Sequence, residues 1–252
     1  MTNKKTPHGD PLFTYEDDNY IPNSQNTNPE CSLDEITEHI EKYIGKVDLV
    51  FHELVSDYLH IDVLIVNPTK EDPTYKLITS GMSDFPMVLP DEVEQPKYLE
   101  LMITLPSYWK LDSESLNDEN WYWPIRLIKF LARFPHDYNT FLGWGHTIGP
   151  DVENTYYSKN VKFCSSILLG SIMYEEDFLT LKINENKEIL FLSVVPLYKE
   201  EAEFKINNGS DKLIETMNEY SEVVIPNRKN YCKKGIFKNI SSIMNKLVAF
   251  LN

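Results

Sequence analysis

Apolar residues recur along this chain in two spacings, one typical of helices and one typical of strands. Ser32 is followed three residues later by Glu35, which predicts a capping box, and Gly45 predicts the end of the helix that begins there. One face of this segment is apolar and consists of Leu33, Ile36, Ile40 and Ile44. Residues 32–45 are therefore predicted to form an amphipathic helix.

Four strands are predicted after this helix. Residues 46–55 and 59–68 are β-like apolar runs separated by a short polar turn, which predicts a hairpin, and residues 75–81 predict a third strand. Residues 97–106 alternate cleanly, with four apolar positions against Glu100, Met102 and Thr104. The alternating apolar residues are Leu99, Leu101, Ile103 and Leu105. This period of two predicts a half-buried fourth strand.

The second half of the chain mixes helices and strands. Residues 119–138 predict a long helix with Pro124 in its first turn and a buried stripe at Ile125, Ile128 and Leu131. Further strands are predicted at 162–170 and 187–197, followed by helical segments within 200–220 that are interrupted near Gly209. The predicted fold class is α/β, an α+β sandwich with a mixed, largely antiparallel central sheet flanked by helices.

The two ends differ in composition from the body. Residues 1–31 are polar and are predicted to be a mobile segment, while 32–232 form one domain, as suits a chain of 252 residues. Residues 233–252 carry apolar residues at helical spacing among lysines and predict a basic amphipathic helix. Docking of this helix on the domain is favoured over a position on a membrane surface.

The charge is strongly acidic and uneven. The chain has 24 basic and 39 acidic side chains, a net charge of −15. Residues 227–252 hold six of the basic groups and no acidic group, so the preceding residues carry a net charge of −21. Such a surface repels phosphate backbones, which argues against nucleic acid as a direct partner. It would attract a basic protein, although solubility alone also explains an acidic surface.

Cysteine usage and hydropathy indicate the compartment. Cys31, Cys164 and Cys232 contain no CxxC pair, which fits free thiols in a reducing compartment. The N-terminal residues lack the apolar core of a secretory signal, and the longest apolar run, 189–197, is about half the length of a spanning helix. We therefore predict a cytoplasmic protein without stable membrane insertion.

A glycine-rich segment, FLGWGHTIGPD (141–151), surrounds Trp144 and His146. Its glycine spacing is one residue longer than the dinucleotide fingerprint, and the chain contains no P-loop or nucleophile elbow, so we predict no cofactor. His146 is a candidate catalytic histidine of a hydrolase. A packed or hydrogen-bonded loop histidine is favoured, because the sequence shows no positioned carboxylate beside it. We assign no catalytic residue from these motifs.

Two further segments contain candidate partner-binding residues. In SGMSDFPM (80–87), Asp84 is suited either to ligand binding or to a turn at the end of a strand. Trp123 is either a recognition residue or a core residue, and core packing is favoured. The candidate partner-binding residues are Asp84, Trp123, Trp144 and His146.

Three residues of the predicted hairpin have metal-ligating side chains. His60 and Asp62 are two apart on one strand and share a face, and His52 lies on the neighbouring strand. These residues could form a metal triad. Ordinary surface positions are favoured instead, since no ligand-spacing motif or second-shell partner is recognisable, and we assign no metal ligand from the sequence.

Several segments, taken in order, resemble suppressor-of-fused domains. They are LITSGMSDFPM (77–87), YLELMITLPSYW (98–109), WPIRLIKFLARFPH (123–136), GWGHTI (143–148), VVPLYKEEAEF (194–204) and VIPNRKNY (224–231). The resemblance covers residues 33 to 232 and implies an α/β sandwich that binds proteins without enzymatic activity. It also implies that the glycine-rich loop is a structural corner.

The resemblance bears on the kind of partner as well. Animal members sequester a transcription factor by gripping an extended peptide between two domains, and this chain resembles only the first of them, so that mode is not carried over. Stand-alone bacterial relatives are often immunity proteins against a toxin, frequently a nuclease. We therefore expect an antitoxin that binds a basic, nuclease-type toxin. The alternative is an intracellular regulatory or scaffold protein that sequesters another partner.

Overall fold

The computed structural model describes residues 4–13, 29–53, 58–149, 155–217 and 221–233. The strands are β1 (Lys4–Lys5), β2 (Pro11–Leu12), β3 (Val47–Phe51), β4 (Asp62–Val66), β5 (Thr74–Ser80), β6 (Tyr98–Pro106), β7 (Thr147–Ile148), β8 (Phe163–Leu169), β9 (Thr180–Lys182) and β10 (Glu188–Tyr198). The α-helices are α1 (Leu33–Tyr43), α2 (Glu119–Asp137), α3 (Lys199–Asn208) and α4 (Ser210–Thr216). Short 3₁₀ helices lie at Met82–Asp84, Ser115–Asn117 and Glu176–Phe178.

Eight of these strands form one sheet. Its order is β3-β4-β5-β6-β10-β8-β7, and β9 pairs with the first part of β10. Every neighbouring pair is antiparallel except β6 and β10, which run parallel. The predicted mixed, largely antiparallel sheet is confirmed, and so is the hairpin-like pairing of β3 with β4.

Helices cover both faces of the sheet. On one face, α2 packs in a large core with alternate residues of the central strands, which are Leu99, Leu101, Ile103, Leu105, Leu192 and Val194. On the other face, α1 places Ile36 and Ile40 against Met102 and Phe191. The pair α3 and α4 packs on this second face against β8 and β10. The result is three layers, with the sheet in the middle.

Strand β6 is buried more completely than its sequence predicts. All seven residues from Leu99 to Leu105 are buried, including Glu100 and Thr104, so the prediction of a half-buried strand is wrong. The strand has β5 and β10 on its two sides and helices above and below it. Met102, on the face that alternation assigned to solvent, packs in the α1 layer.

Two details of the helices also differ from the sequence predictions. The helix α1 begins after Ser32, but the Ser32 side chain makes no capping hydrogen bond, so the predicted capping box is absent. The helix α2 begins at Glu119, which places Pro124 beyond the first turn. Asp118 caps this helix by accepting a hydrogen bond from the amide of Asn120.

The ends of the chain are described only in part. Strands β1 and β2 form a small hairpin whose His8 ring lies against Gly209, where an added Cβ would come within 2.7 Å of it. The predicted C-terminal helix at 233–252 lies outside the described residues, apart from Lys233. None of the helices described is both long and apolar enough to cross a membrane.

Candidate partner-binding surface

A patch of seven exposed carboxylates lies on the outer side of the α1 layer. Asp34, Glu38 and Glu41 recur at helical spacing, opposite the buried Ile36 and Ile40. The neighbouring 3₁₀ turn adds three consecutive acidic residues. We call the whole set the acidic face; its members are Asp34, Glu35, Glu38, Glu41, Glu175, Glu176 and Asp177.

His39 joins the two parts of the acidic face. Its Nε2 lies 2.9 Å from the carbonyl oxygen of Phe178. Its ring stacks on Phe178 and on Phe191 at centroid distances of 5.6 and 5.2 Å, and these two rings contact each other at 5.4 Å. Burial lowers the pKa of His39, although the hydrogen bond to Phe178 opposes this shift. The neutral imidazole therefore donates to the carbonyl and holds the 3₁₀ turn against α1.

A groove opens beside the acidic face. It has a volume of about 400 Å³ and is lined by Lys42, Tyr43, Met173, Tyr174 and Glu175. Met173 and the adjacent Ile172 are exposed, Ile172 by 60%. Large apolar and aromatic side chains surrounded by charged groups are typical of protein interfaces, in which an apolar centre is enclosed by a polar rim.

Tyr174, which lines this groove, is packed against buried groups. The Tyr174 ring packs edge-on against Phe178 at 5.1 Å, and burial raises the pKa of the Tyr174 hydroxyl above its ordinary value. Behind it, the fully buried Lys76 ammonium donates to the carboxylate of Asp72 and lies 5.7 Å from the Tyr174 ring centroid. The Tyr174 side of the groove is thus backed by a paired, buried cation and an aromatic contact.

Asp84 lies in a tightly held turn after β5. The fully buried carboxylate of Glu100 accepts hydrogen bonds from the Gly81 amide (3.1 Å), the Ser83 amide (2.9 Å) and the Ser83 hydroxyl (2.7 Å). Burial raises the pKa of Glu100, and these hydrogen bonds counteract the shift. The sequence segment SGMSDF is therefore a structural anchor between β5 and β6.

The surroundings of Asp84 do not include the glycine-rich loop. Burial raises the pKa of Asp84, while the charges of Lys187 and His60 lower it. Its backbone carbonyl accepts from the amide of Glu30 at 3.1 Å. Within the described ranges, no contact joins Asp84 to His146, so the two candidates are not brought into one site.

The two candidate tryptophans lie in different environments. Trp123 has no exposed surface and stacks on Tyr157 at 5.4 Å, so its side chain offers nothing to a partner in the folded protein. Trp144 is 50% exposed on the glycine-rich loop. A smaller groove of about 110 Å³ lies between α2 and β7 and is lined in part by Phe130, which is also exposed.

The glycine-rich loop is a packed corner. A Cβ at Gly143 would lie 2.1 Å from the side-chain oxygen of Gln95, and Gly145 has φ +75° with Ser210 close by. Burial lowers the pKa of His146 to about 4, and the nearby Lys205 adds to the shift. The His146 ring packs against Phe141 in a tilted arrangement, with a centroid distance of 4.9 Å and an angle of 60° between the ring planes.

The structure does bring the three metal-ligating residues of the hairpin together. Asp62 Oδ2 lies 3.0 Å from His52 Nδ1, and Asp62 Oδ1 lies 2.9 Å from His60 Nε2. The potential ligand atoms of the three residues all lie within 4.8 Å of one another. The sequence offered these residues as a possible metal triad and favoured ordinary surface positions, and both histidines are indeed exposed. The register of β3 against β4 brings His52 opposite Asp62 and so explains the convergence.

Sequence reasoning did not identify the acidic face. The spacing of Asp34, Glu38 and Glu41 on the polar side of a predicted helix was a readable signal. Their proximity to the acidic run at 175–177 was not readable, because it depends on a contact between residues 139 positions apart, His39 and Phe178.

Three solved structures share the fold. A SUFU homologue from Neisseria gonorrhoeae superposes with a TM-score of 0.56 and 16% identity over 80% of this chain and 97% of that chain. The Sufu–Fu complex gives a TM-score of 0.55 and 14% identity over 85% of this chain and 96% of that chain. Drosophila Suppressor of Fused gives 0.53 and 13%, over 89% of this chain and 55% of that chain. This chain thus spans about half of the Drosophila protein.

A sequence-based comparison gives the family. No curated protein sequence matches this chain. The family model described as Suppressor of fused protein (SUFU) matches residues 57–229, which is well over half of the sequence and spans β4 to the segment after α4. The chain belongs to the suppressor of fused family.

Proposed function

We propose that this chain is a protein-binding domain, and more specifically an immunity protein that neutralises a basic, nuclease-type toxin by direct binding. Family membership supports the binding role, since one of the similar structures is that of a Sufu–Fu complex. The observation that carries the partner class is the charge: a net −21 before residue 227, with seven exposed carboxylates on the acidic face.

The charge distribution suits capture of a basic protein. A nuclease must bind a polyanion, so its substrate cleft is basic. Complementary charge speeds the diffusional encounter by about 10- to 1,000-fold at low salt, and the gain falls as salt screens the charges. Among the groups around the acidic face, Lys42 interacts electrostatically with Asp177 and offsets only part of the negative charge.

The groove supplies short-range contacts that charge alone cannot. Ile172 and Met173 are exposed and adjacent, and Tyr43 and Tyr174 line the same depression. Apolar side chains of a partner that become buried in such a groove slow the dissociation of the complex. The charges at the rim mainly affect the rate of association. The proposed interface therefore combines an acidic rim that attracts a partner with an apolar centre that retains it.

The test begins with affinity capture of the full chain from its own host and identification of a basic protein that stays bound. Association of that protein is then measured at about 10 mM and 150 mM salt, where the Debye lengths are roughly 30 and 8 Å. The variant Asp34→Asn/Glu38→Gln/Glu41→Gln should lower the association rate about 10-fold at the lower salt. The matched control neutralises three exposed acidic residues in the β5–β6 connection: Asp91→Asn/Glu92→Gln/Glu94→Gln.

Two outcomes would contradict the proposal. One is recovery of this chain alone from cells shown to produce the candidate toxin. The other is a bound protein whose toxicity is unchanged by this chain, which would favour a regulatory or scaffold role. If the association rate fell equally in the acidic-face variant and in the control, the chain would still bind the partner, but the acidic face would not be the binding surface.

A further inference from the structure

We propose that His52, His60 and Asp62 form a surface site for a divalent first-row transition metal of the zinc class. Two imidazole nitrogens and one carboxylate converge at the end of the β3–β4 pair, where the chain leaves the sheet. This site lies outside the acidic face and does not depend on the proposed toxin partner.

The backbone fixes the relative positions of the three residues. Asp62 is the first residue of β4 and pairs with Ser80, and His52 directly follows the last residue of β3. The carbonyl oxygen of His60 lies 1.9 Å from the position of a Cβ added to Gly81, so that glycine permits the close approach of the two segments. Asp62 therefore lies in the sheet itself, and the two histidines lie within two residues of the ends of its paired strands.

The side chains combine one fixed ligand with two adjustable ones. Asp62 is only 10% exposed, and its Oδ1 accepts a hydrogen bond from the amide of Glu53 at 3.0 Å. The His52 and His60 side chains are 63% and 50% exposed. A tetrahedral zinc with bonds of about 2.1 Å separates its ligand atoms by about 3.4 Å, so shifts of about 1 Å in the imidazoles would complete the geometry.

The donor set determines the class of ion. Imidazole suits zinc, copper, nickel and iron, whereas calcium and magnesium take oxygen ligands. Three protein ligands leave at least one coordination position open, which water can occupy. In the metal-bound form, the histidine nitrogen that now contacts Asp62 would bind the metal instead. Each imidazole would be neutral and would carry its one proton on the other ring nitrogen.

The charges around the triad do not oppose a cation strongly. Lys129 and Arg133 lie on this side of α2, but both pair with the carboxylate of Glu53. Asp84 adds a negative charge that interacts with His60 and Asp62, and Lys187 offsets it. The local charge is therefore close to balanced before the metal binds.

The experiment is calorimetric titration of the untagged full chain with zinc chloride, in a Cys31→Ser background that removes an exposed thiol. We expect one zinc per chain. Mutation of a residue that only hydrogen-bonds to a metal ligand lowers metal affinity by about 10- to 100-fold. The variants His52→Gln and His60→Gln each remove a ligand itself, so each should lower zinc affinity by about 100-fold or more. Cobalt(II) in place of zinc should give visible absorption that both variants lose.

The matched control is His8→Gln, which removes an exposed histidine that also lies beside a carboxylate, Asp10, at 3.4 Å. It should leave zinc binding unchanged. Thermal unfolding in EDTA checks that every variant folds. Absence of stoichiometric binding in the Cys31→Ser protein would overturn the proposal. Retained affinity in both triad variants, or an equal loss in the control, would show that zinc binds elsewhere and would overturn it too.

Discussion

The buried histidine of α2 should make the domain sensitive to acid. His136 is 2% exposed, and its Nε2 lies 3.0 Å from the carbonyl oxygen of Met82 in the turn after β5. Burial lowers its pKa from 6.5 to about 4, although the hydrogen bond opposes the shift. The neutral ring donates to the carbonyl, and a second proton would put an unpaired charge in the core.

The sign and size of the effect follow from proton linkage. The pKa of His136 is lower in the folded chain, so between pH 6.5 and about 4 the unfolded chain binds a proton that the folded chain does not. The free energy of unfolding therefore falls as the pH falls. Each pKa unit is worth about 1.4 kcal/mol, which gives a loss of about 2.5 kcal/mol at pH 4.5 from this residue.

Urea unfolding at pH 7 and pH 4.5 measures the loss directly. The variant His136→Gln retains a side-chain N–H donor but cannot titrate, so its stability should fall by about 2.5 kcal/mol less than that of the wild type. His39 and His146, whose pKa values are also lowered, remain in both proteins and cancel. Equal losses in the two proteins would refute the assignment of this acid sensitivity to His136.

Two further predictions concern stability. In Gly81→Ala, the new Cβ would lie 1.9 Å from the His60 carbonyl oxygen at a φ of +112°, so we expect the free energy of unfolding to fall by about 3 kcal/mol or more. Gly149→Ala, whose added Cβ would meet no atom within 4 Å among the described residues, should be close to neutral. Equal melting temperatures of the two variants would contradict this. Arg228→Met leaves the buried Glu201 carboxylate without its cationic partner, whose Nη2 lies 2.7 Å from Oε2. The free energy of unfolding, measured by chemical denaturation, should fall by about 3–5 kcal/mol. Adding Glu201→Gln should restore part of this, and strictly additive losses would argue against the pairing.

The elements of the fold were predictable where local pattern decides them. The apolar stripe of α2 corresponds to a helix at nearly the predicted bounds. The paired runs at 46–55 and 59–68 do contain β3 and β4, but each strand covers only five of the ten predicted residues. The burial of β6 was not predictable, because Glu100 and Met102 are covered by residues far away in the sequence. Alternation reports the residue types on two faces and not whether each face is covered.

The candidate residues were separable only in part by sequence. Trp123 and Trp144 both stand among aromatic neighbours, yet one is fully buried and the other half exposed, because helix packing buries the first and a loop carries the second. The shared face of His60 and Asp62 followed from strand periodicity. The contribution of His52 required the register of the hairpin, which depends on backbone pairing rather than on residue type.

The parallel pairing of β6 with β10 has a consequence for synthesis of the chain. Strands β3 to β6 follow one another and can pair as soon as they emerge, but β6 gains its second neighbour only when β10 is made, after about 80 intervening residues. Until then, an apolar strand edge stands open to other chains. Closing that long loop costs entropy before the parallel ladder stabilises it. The central strand of the finished domain is therefore an aggregation-prone edge in the nascent chain.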